Sequence, residues 1–324
     1  MSDAFLASLT KLTGQINQAL EAVLNESSDL PARMGFYGLA GGGKRLRPIM
    51  FCLAAKALGR EIDEPTLRLS TIFELLHLST LFHDDIIDMS ATRRGQPAAH
   101  LAFGVPEAVL AADYLLAKSA EVALATNNMD CFKVFIHVIK ELSLGELEQL
   151  KSQNQALLSR QDYDQIIYRK TAVLMEGVGQ IAGLWLGVNP EKTQALGEFG
   201  ARLGLAFQII DDVLDYEGQP KKLGKPIGQD LDEGRITLPF ILARQELTGE
   251  ARDLLIELGQ KERRTPEEKA QIVSLVKKAG GVRAARLAAQ EMADLASQAL
   301  NCLAPNEARA NLEKLAQSAV ARKS

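Results

Sequence analysis

Apolar residues recur at helical spacing along nearly the whole chain. Between residues 4 and 25, Phe5, Leu6, Leu9, Leu12, Ile16, Leu20 and Leu24 form a stripe with a period near 3.6 residues, which is one buried face of an amphipathic helix. The same period predicts helices over 46–59, 65–89, 106–126, 130–153, 162–187, 192–217, 236–247, 249–260, 266–278, 280–302 and 305–320. Pro48, Pro65, Pro106, Pro239, Pro266 and Pro305 fall at helix starts or in joints, where a missing N–H is tolerated. Thr265-Pro266-Glu267-Glu268 reads as an N-cap followed by proline and acids. Alternating strand patterns are absent. Only 5% of residues are aromatic, and Ala and Leu dominate, which also favours helix. The pattern therefore predicts an all-α fold, a bundle of long helices forming a single domain over 1–324. Two long irregular joints remain, 92–104 and 218–234.

Each joint follows an acidic pentapeptide set in an apolar stretch. These are Asp84-Asp85-Ile86-Ile87-Asp88 and Asp211-Asp212-Val213-Leu214-Asp215. Carboxylates at i and i+4 repel across one helical turn, and desolvating them costs several kcal/mol per ion. A hard divalent cation bridging the oxygens resolves both problems, with a phosphate supplying further ligands. The first and third carboxylates of each cluster share a face. Asp84, Asp88, Asp211 and Asp215 are thus the candidate metal ligands, with Asp85 and Asp212 offset, Asp85 to hold a metal-bound water. One such cluster alone is most often a solvated acidic face. Two copies, each with a basic loop behind it, predict two carboxylate walls facing one polyphosphate. Six carboxylates and a diphosphate of roughly –3 call for about three Mg²⁺ ions, with basic side chains supplying the rest.

Those basic residues are present by position. Arg93-Arg94-Gly95 follows the first cluster, Lys225 follows the second, and Lys170-Thr171 lies in the segment between them. Gly41-Gly42-Gly43-Lys44-Arg45-Leu46-Arg47-Pro48 places a glycine run before a helix, where the backbone can approach an anion. Lys44 and Arg47, three apart, can both hold a phosphate; the spacing is not that of a Walker A loop. His77 lies two turns before Asp84 on the same face and can donate to a phosphate oxygen. His83 reads as structural.

Composition narrows the function classes. The 324 residues are 47% hydrophobic and 24% charged, with net charge –4, so a large core is available and nucleic acid is not an expected partner. Three scattered cysteines, Cys52, Cys131 and Cys302, show no metal spacing. They predict buried thiols in a cytoplasmic setting. No secretory pattern opens the sequence and no apolar run approaches 18 residues.

Taken together, the motifs resemble those of the trans-isoprenyl diphosphate synthases, the polyprenyl synthetase family. The matching segments are 41–48, 74–88, 93–97, 145–150, 170–171, 207–215 and 224–239, in family order across most of the chain. The resemblance implies helices around a deep central cleft, and a prenyltransferase that condenses isopentenyl diphosphate head-to-tail onto an allylic diphosphate such as farnesyl diphosphate. It implies that Mg²⁺ links the allylic diphosphate to both clusters, with Asp84, Asp85, Asp88, Asp211, Asp212 and Lys170 catalytic. Arg93, Lys170, Thr171, Gln208 and Lys225 would hold the allylic substrate, and Lys44, Arg47, His77 and Arg94 isopentenyl diphosphate. A homodimer is implied, and the apolar product suggests transient membrane contact. Arg235 stands where the family usually has Lys, so it is not counted as a firm ligand.

Product length is read from the residues before Asp84. In the family, a bulky aromatic four or five positions earlier stops growth; here Thr80 and Ser79 are small. With the terminal segment 312–322, this favours a long-chain, octaprenyl-like product, as in quinone side chains, over a farnesyl or geranylgeranyl diphosphate. Phe73 is one possible floor. A class I terpene cyclase and a non-catalytic partner subunit are the rival classes. The full second aspartate triad argues against the first, and retention of all six aspartates against the second.

Overall fold

The computed structural model describes residues 3–26, 29–217 and 228–322. Lys225, expected to bind the allylic substrate, lies outside the described residues. The all-α expectation holds: among the described residues the only strands are a two-residue pair. The chain divides into two compact units.

The first unit comprises Met1–His137, Gly177–Gly197 and Cys302–Leu312. It opens with α1 (Asp3–Asn25), α2 (Leu30–Ala40), α3 (Leu46–Ala57) and α4 (Glu64–Ile87). In α1, Phe5, Leu12, Ile16, Leu20 and Leu24 are buried as the stripe predicts, while Leu6 stays exposed at the rim. Helix α4 packs against α1, α3 and α6 (Val105–Leu124). It accordingly buries residues around its whole circumference, Leu69, Ile72, Phe73, Leu75, Leu76, Leu78 and Phe82 among them, the pattern of a central helix. Asp63 caps it by accepting from the Thr66 amide at 3.1 Å, with Pro65 in the first turn. Phe73 packs on Phe51 at 5.7 Å between ring centroids, and Phe51 on Trp185 at 5.9 Å.

The 92–104 joint is not wholly irregular. Thr92–Arg93 and Gln96–Pro97 form β1 and β2, paired antiparallel, and α5 (Ala99–Phe103) follows. Arg94 and Gly95 carry φ of 52° and 79°, the geometry of a tight two-residue hairpin. Strands this short show no alternation, and arginine is an unusual residue for that turn, so the sequence pattern does not reveal it.

The second unit comprises Val138–Glu176, Glu198–Asn301 and Glu313–Ser324. The expected helix over 162–187 is interrupted. It runs as α8 (Arg160–Ile167), a π-helical turn (Tyr168–Ala172) and α9 (Val173–Trp185). Gly145 of α7 (Met129–Lys151) explains the wide turn's tight seat: a Cβ there would lie 2.8 Å from the Lys170 amide nitrogen. Helix α10 (Pro190–Glu217) carries the second aspartate cluster. After it come α11 (Gln229–Asp232), α12 (Leu238–Glu246), α13 (Gly249–Gly259), α14 (Pro266–Lys278), α15 (Gly281–Ala299) and α16 (Glu307–Val320). Thr265 caps α14 as the sequence predicts, and Glu268 completes a reciprocal capping box with it.

Cys52 and Cys131 are buried and Cys302 is partly exposed, all as thiols. Burial pushes the Cys52 and Cys131 thiols up to about 12 and about 11, which makes them inert. No helix among the described residues is long and apolar enough to cross a membrane.

Candidate active site

In the first unit, the C-terminal turn of α4 presents the first cluster. Asp84 lies on the last turn and Asp88 is its C-cap residue, with the Asp88 amide donating to the Asp84 carbonyl at 2.8 Å. Carboxylates here sit at the negative end of the helix dipole, which sharpens their need for cations. Asp84 and Asp88 are half-buried, whereas Asp85 is 2% exposed. Arg93 covers it, donating from Nε to Asp85 Oδ1 at 2.8 Å and from Nη2 to the same oxygen. The hairpin sets this up. Arg93 turns back to α4, while Arg94 at the tip donates to the Gly42 carbonyl.

That second bond joins the hairpin to the glycine turn before α3. Gly42 and Gly43 have φ of 81° and 152°, so the turn needs residues without Cβ. Lys44 is exposed on this turn, and Arg47 lies in the first turn of α3 with its Nε buried and without a hydrogen-bond partner. On α4, burial pushes His77 well below its ordinary range, and the fields of Arg47, Arg94, Arg93 and Arg45 add to that. His77 is therefore a neutral imidazole with one N–H to donate. The fold thus gathers residues far apart in sequence into one cationic cluster. His83, read as structural, lies 3.6 Å from Asp113.

In the second unit, a chain of hydrogen bonds holds the middle aspartate of α10. Thr171 Oγ1 donates to Gln208 Oε1 at 2.8 Å, Gln208 Nε2 to Asp212 Oδ1 at 2.9 Å, and the Tyr163 hydroxyl to Asp212 Oδ2 at 2.5 Å. Asp212 is 3% exposed. Burial pushes its carboxyl up to about 7, and the charges of Asp211 and Asp215 push in the same direction. Asp215 accepts the amides of Gln229 and Asp230 at 3.0 and 3.3 Å. Asp211 Oδ1 meets Arg322 Nη1 at 2.8 Å, with that guanidinium over the Phe207 ring. Lys170, on the π-turn, pairs with Glu146 at 2.8 Å. Arg235 is held by Glu233 at 2.6 Å, with Asp230 at 3.9 Å.

Both clusters therefore bury the middle carboxylate and leave the outer two half-exposed. All-oxygen donors of this kind, with surplus negative charge, fit a hard divalent cation. Among the described residues no three His, Cys, Asp or Glu side chains are grouped closely enough to hold a metal alone.

The raised Asp212 carboxyl has a consequence for stability. Below about pH 7 the folded chain holds a proton that the unfolded chain gives up near its ordinary value of 3.8. Stability therefore falls as pH rises between these values, and the whole penalty is present at pH 8. Asp212→Asn is expected to stabilise the metal-free chain at pH 8 by about 2–4 kcal/mol and to lose most of that gain at acid pH. Urea unfolding in EDTA at pH 8 and pH 5 checks this; equal gains at both would count against it.

Sequence reasoning missed Arg45, Glu74, Glu146, Tyr163, Asp230 and Arg322. None lies in a pentapeptide or a glycine run; only their three-dimensional partners single them out.

The family model described as Polyprenyl synthetase matches residues 29–276. An octaprenyl diphosphate synthase of Escherichia coli is 34% identical over 324 residues, covering 98% of this chain and 99% of its own. Among solved structures, a polyprenyl synthase from Caulobacter crescentus, complexed with calcium and isoprenyl diphosphate, superposes with a TM-score of 0.89 at 32% identity. The match covers 99% of this chain and 98% of that one. A decaprenyl diphosphate synthase from Rhodobacter capsulatus gives 0.90 at 31% identity, covering 99% of each.

Proposed function

The chain belongs to the polyprenyl synthetase family, and on that premise we infer that it is a trans-prenyltransferase making a long-chain polyprenyl diphosphate. It extends an allylic diphosphate, such as farnesyl diphosphate, with isopentenyl diphosphate. One observation carries the assignment. Arg93 of the hairpin bonds Asp85 of the first aspartate cluster while its neighbour Arg94 bonds the Gly42 carbonyl, which joins that cluster to the basic turn of Lys44 and Arg47.

Lys44, Arg47, His77 and Arg94 hold the diphosphate of isopentenyl diphosphate, the arginines through charge and His77 through its single N–H. We assign Arg93, Lys170 and Lys225 to the allylic diphosphate, where their charge would stabilise what grows on it as its C–O bond breaks. The bonding pair leaves with that oxygen, and the C=C of isopentenyl diphosphate attacks the allylic carbon. A proton is then lost to the departing pyrophosphate. Thr171 is bonded to Gln208 and Gln208 in turn to Asp212, and both would present polar oxygens to the allylic group. Divalent cations, which we take to be Mg²⁺, would be held by Asp84, Asp88, Asp211 and Asp215 and would neutralise the leaving group. Lys170 must exchange Glu146 for a phosphate oxygen when substrate binds.

Exposed Leu110 and Leu124 on α6 and Met129 and Ile136 on α7 support a homodimer. We place the enzyme in the cytoplasm, with transient membrane contact for product release. Purified protein given farnesyl diphosphate, isopentenyl diphosphate and Mg²⁺ should release pyrophosphate and yield a lengthened chain by mass spectrometry. EDTA should abolish both, and excess Mg²⁺ should restore them. Pyrophosphate release without isopentenyl diphosphate would instead favour a cyclase.

A further inference from the structure

The turn that carries Lys44 is anchored by a residue to which the binding roles above give no part. Arg45 is 5% exposed and sits at the N-cap of α3 with φ 46° and ψ 37°. Glycine adopts this left-handed backbone readily and arginine does not. The side chain supplies the reason for arginine. Its Nε donates to Asn17 Oδ1 of α1 at 2.9 Å, and Nη2 to the Leu39 carbonyl of α2 at 3.1 Å. Its Nη1 donates to Glu74 Oε1 of α4 at 2.8 Å. One guanidinium thus ties the turn to three helices.

Glu74 is equally committed. It is 4% exposed, lies one turn before His77, and its charge acts on Arg47 and Arg94 as well as on Arg45. It is a buried anion that lets three guanidiniums stand close together before any diphosphate arrives. A pair buried this deeply is often no more stabilising than apolar residues of the same volume. The bonds it makes serve placement.

We propose that Arg45 and Glu74 are positioning residues of the isopentenyl diphosphate site. They fix where Lys44 and Arg47 stand relative to His77, and neither touches substrate. This rests on the assignment of Lys44, Arg47, His77 and Arg94 to that substrate.

Arg45→Lys keeps the charge but cannot span three acceptors. It is expected to raise KM for isopentenyl diphosphate about tenfold, as a small misplacement does. KM for the allylic diphosphate and kcat at saturating isopentenyl diphosphate should stay within about twofold of wild type. The double variant Arg45→Met with Glu74→Leu should melt close to wild type and show the same one-substrate defect. A wild-type KM for isopentenyl diphosphate in folded Arg45→Lys, or a parallel rise in both KM values, overturns the proposal. Arg47→Gln run alongside separates the two levels. If it raises KM while Arg45→Lys does not, the positioning role alone falls. If neither does, the substrate assignment falls and takes the proposal with it.

Discussion

Asp84→Asn is expected to lower kcat about a thousandfold while leaving the fold intact or slightly more stable. The two directions follow from one location. Asp84 is half-buried on the last turn of α4, one turn from Asp88 and at the negative end of the helix dipole. In the resting protein its charge is repelled by Asp88, and an amide of the same shape relieves that by a few tenths of a kcal/mol. On the proposed mechanism the same charge holds a cation against the leaving diphosphate, where removing one preorganised electrostatic contact costs about 10²–10³ in rate. Measuring kcat across a Mg²⁺ titration, alongside a melting curve, tests both. A kcat within about tenfold of wild type at saturating metal would remove Asp84 from the machinery. A marked loss of stability would make its role structural.

The parts of this site that could be read from the sequence are those whose chemistry is local. Three carboxylates in five residues, or three glycines before Lys44, announce themselves because near neighbours already create an electrostatic or steric problem. The long helices are legible for the same reason: a 3.6-residue stripe is a local statement about a distant core. What stayed hidden depends on tertiary partners. Tyr163 is an ordinary aromatic on a short helix until its hydroxyl is found on Asp212. Arg322 resembles a solvated charge until it is found on Asp211. Arg45 is one more basic residue in a basic motif, and only its left-handed backbone and three acceptors set it apart. The π-turn at Lys170 escapes the hydrophobic pattern because it inserts into an otherwise regular period, seated against a glycine in another helix.

Ser79→Phe is expected to convert a long-chain product into a short one. Ser79 is 2% exposed and stands five residues before Asp84, about 7–8 Å back along the axis of α4. An extended five-carbon unit, four carbon–carbon bonds of about 1.5 Å, spans about 5 Å. A ring at Ser79 therefore meets the growing tail within its first two or three units. Thr80 is the weaker lever: its hydroxyl already bonds the His77 carbonyl at 2.8 Å and the residue is only half-buried. Phe73 lies about 16 Å from Asp84 along the helix. A straight tail reaches its level after about three units, so an eight-unit product must pass this ring and cannot end on it. Phe73 is itself 1% exposed and packed on Phe51. The substitution also separates path from packing. A phenyl group forced into a filled core costs about 1–3 kcal/mol, whereas one that enters the product's own space costs little in the empty enzyme. Product mass spectrometry paired with a melting curve reads both quantities. A shorter product with a near-normal melt places Ser79 on the wall of the growing chain. An unchanged product with a lowered melt places it in the core and moves the length-setting wall off this stretch of α4.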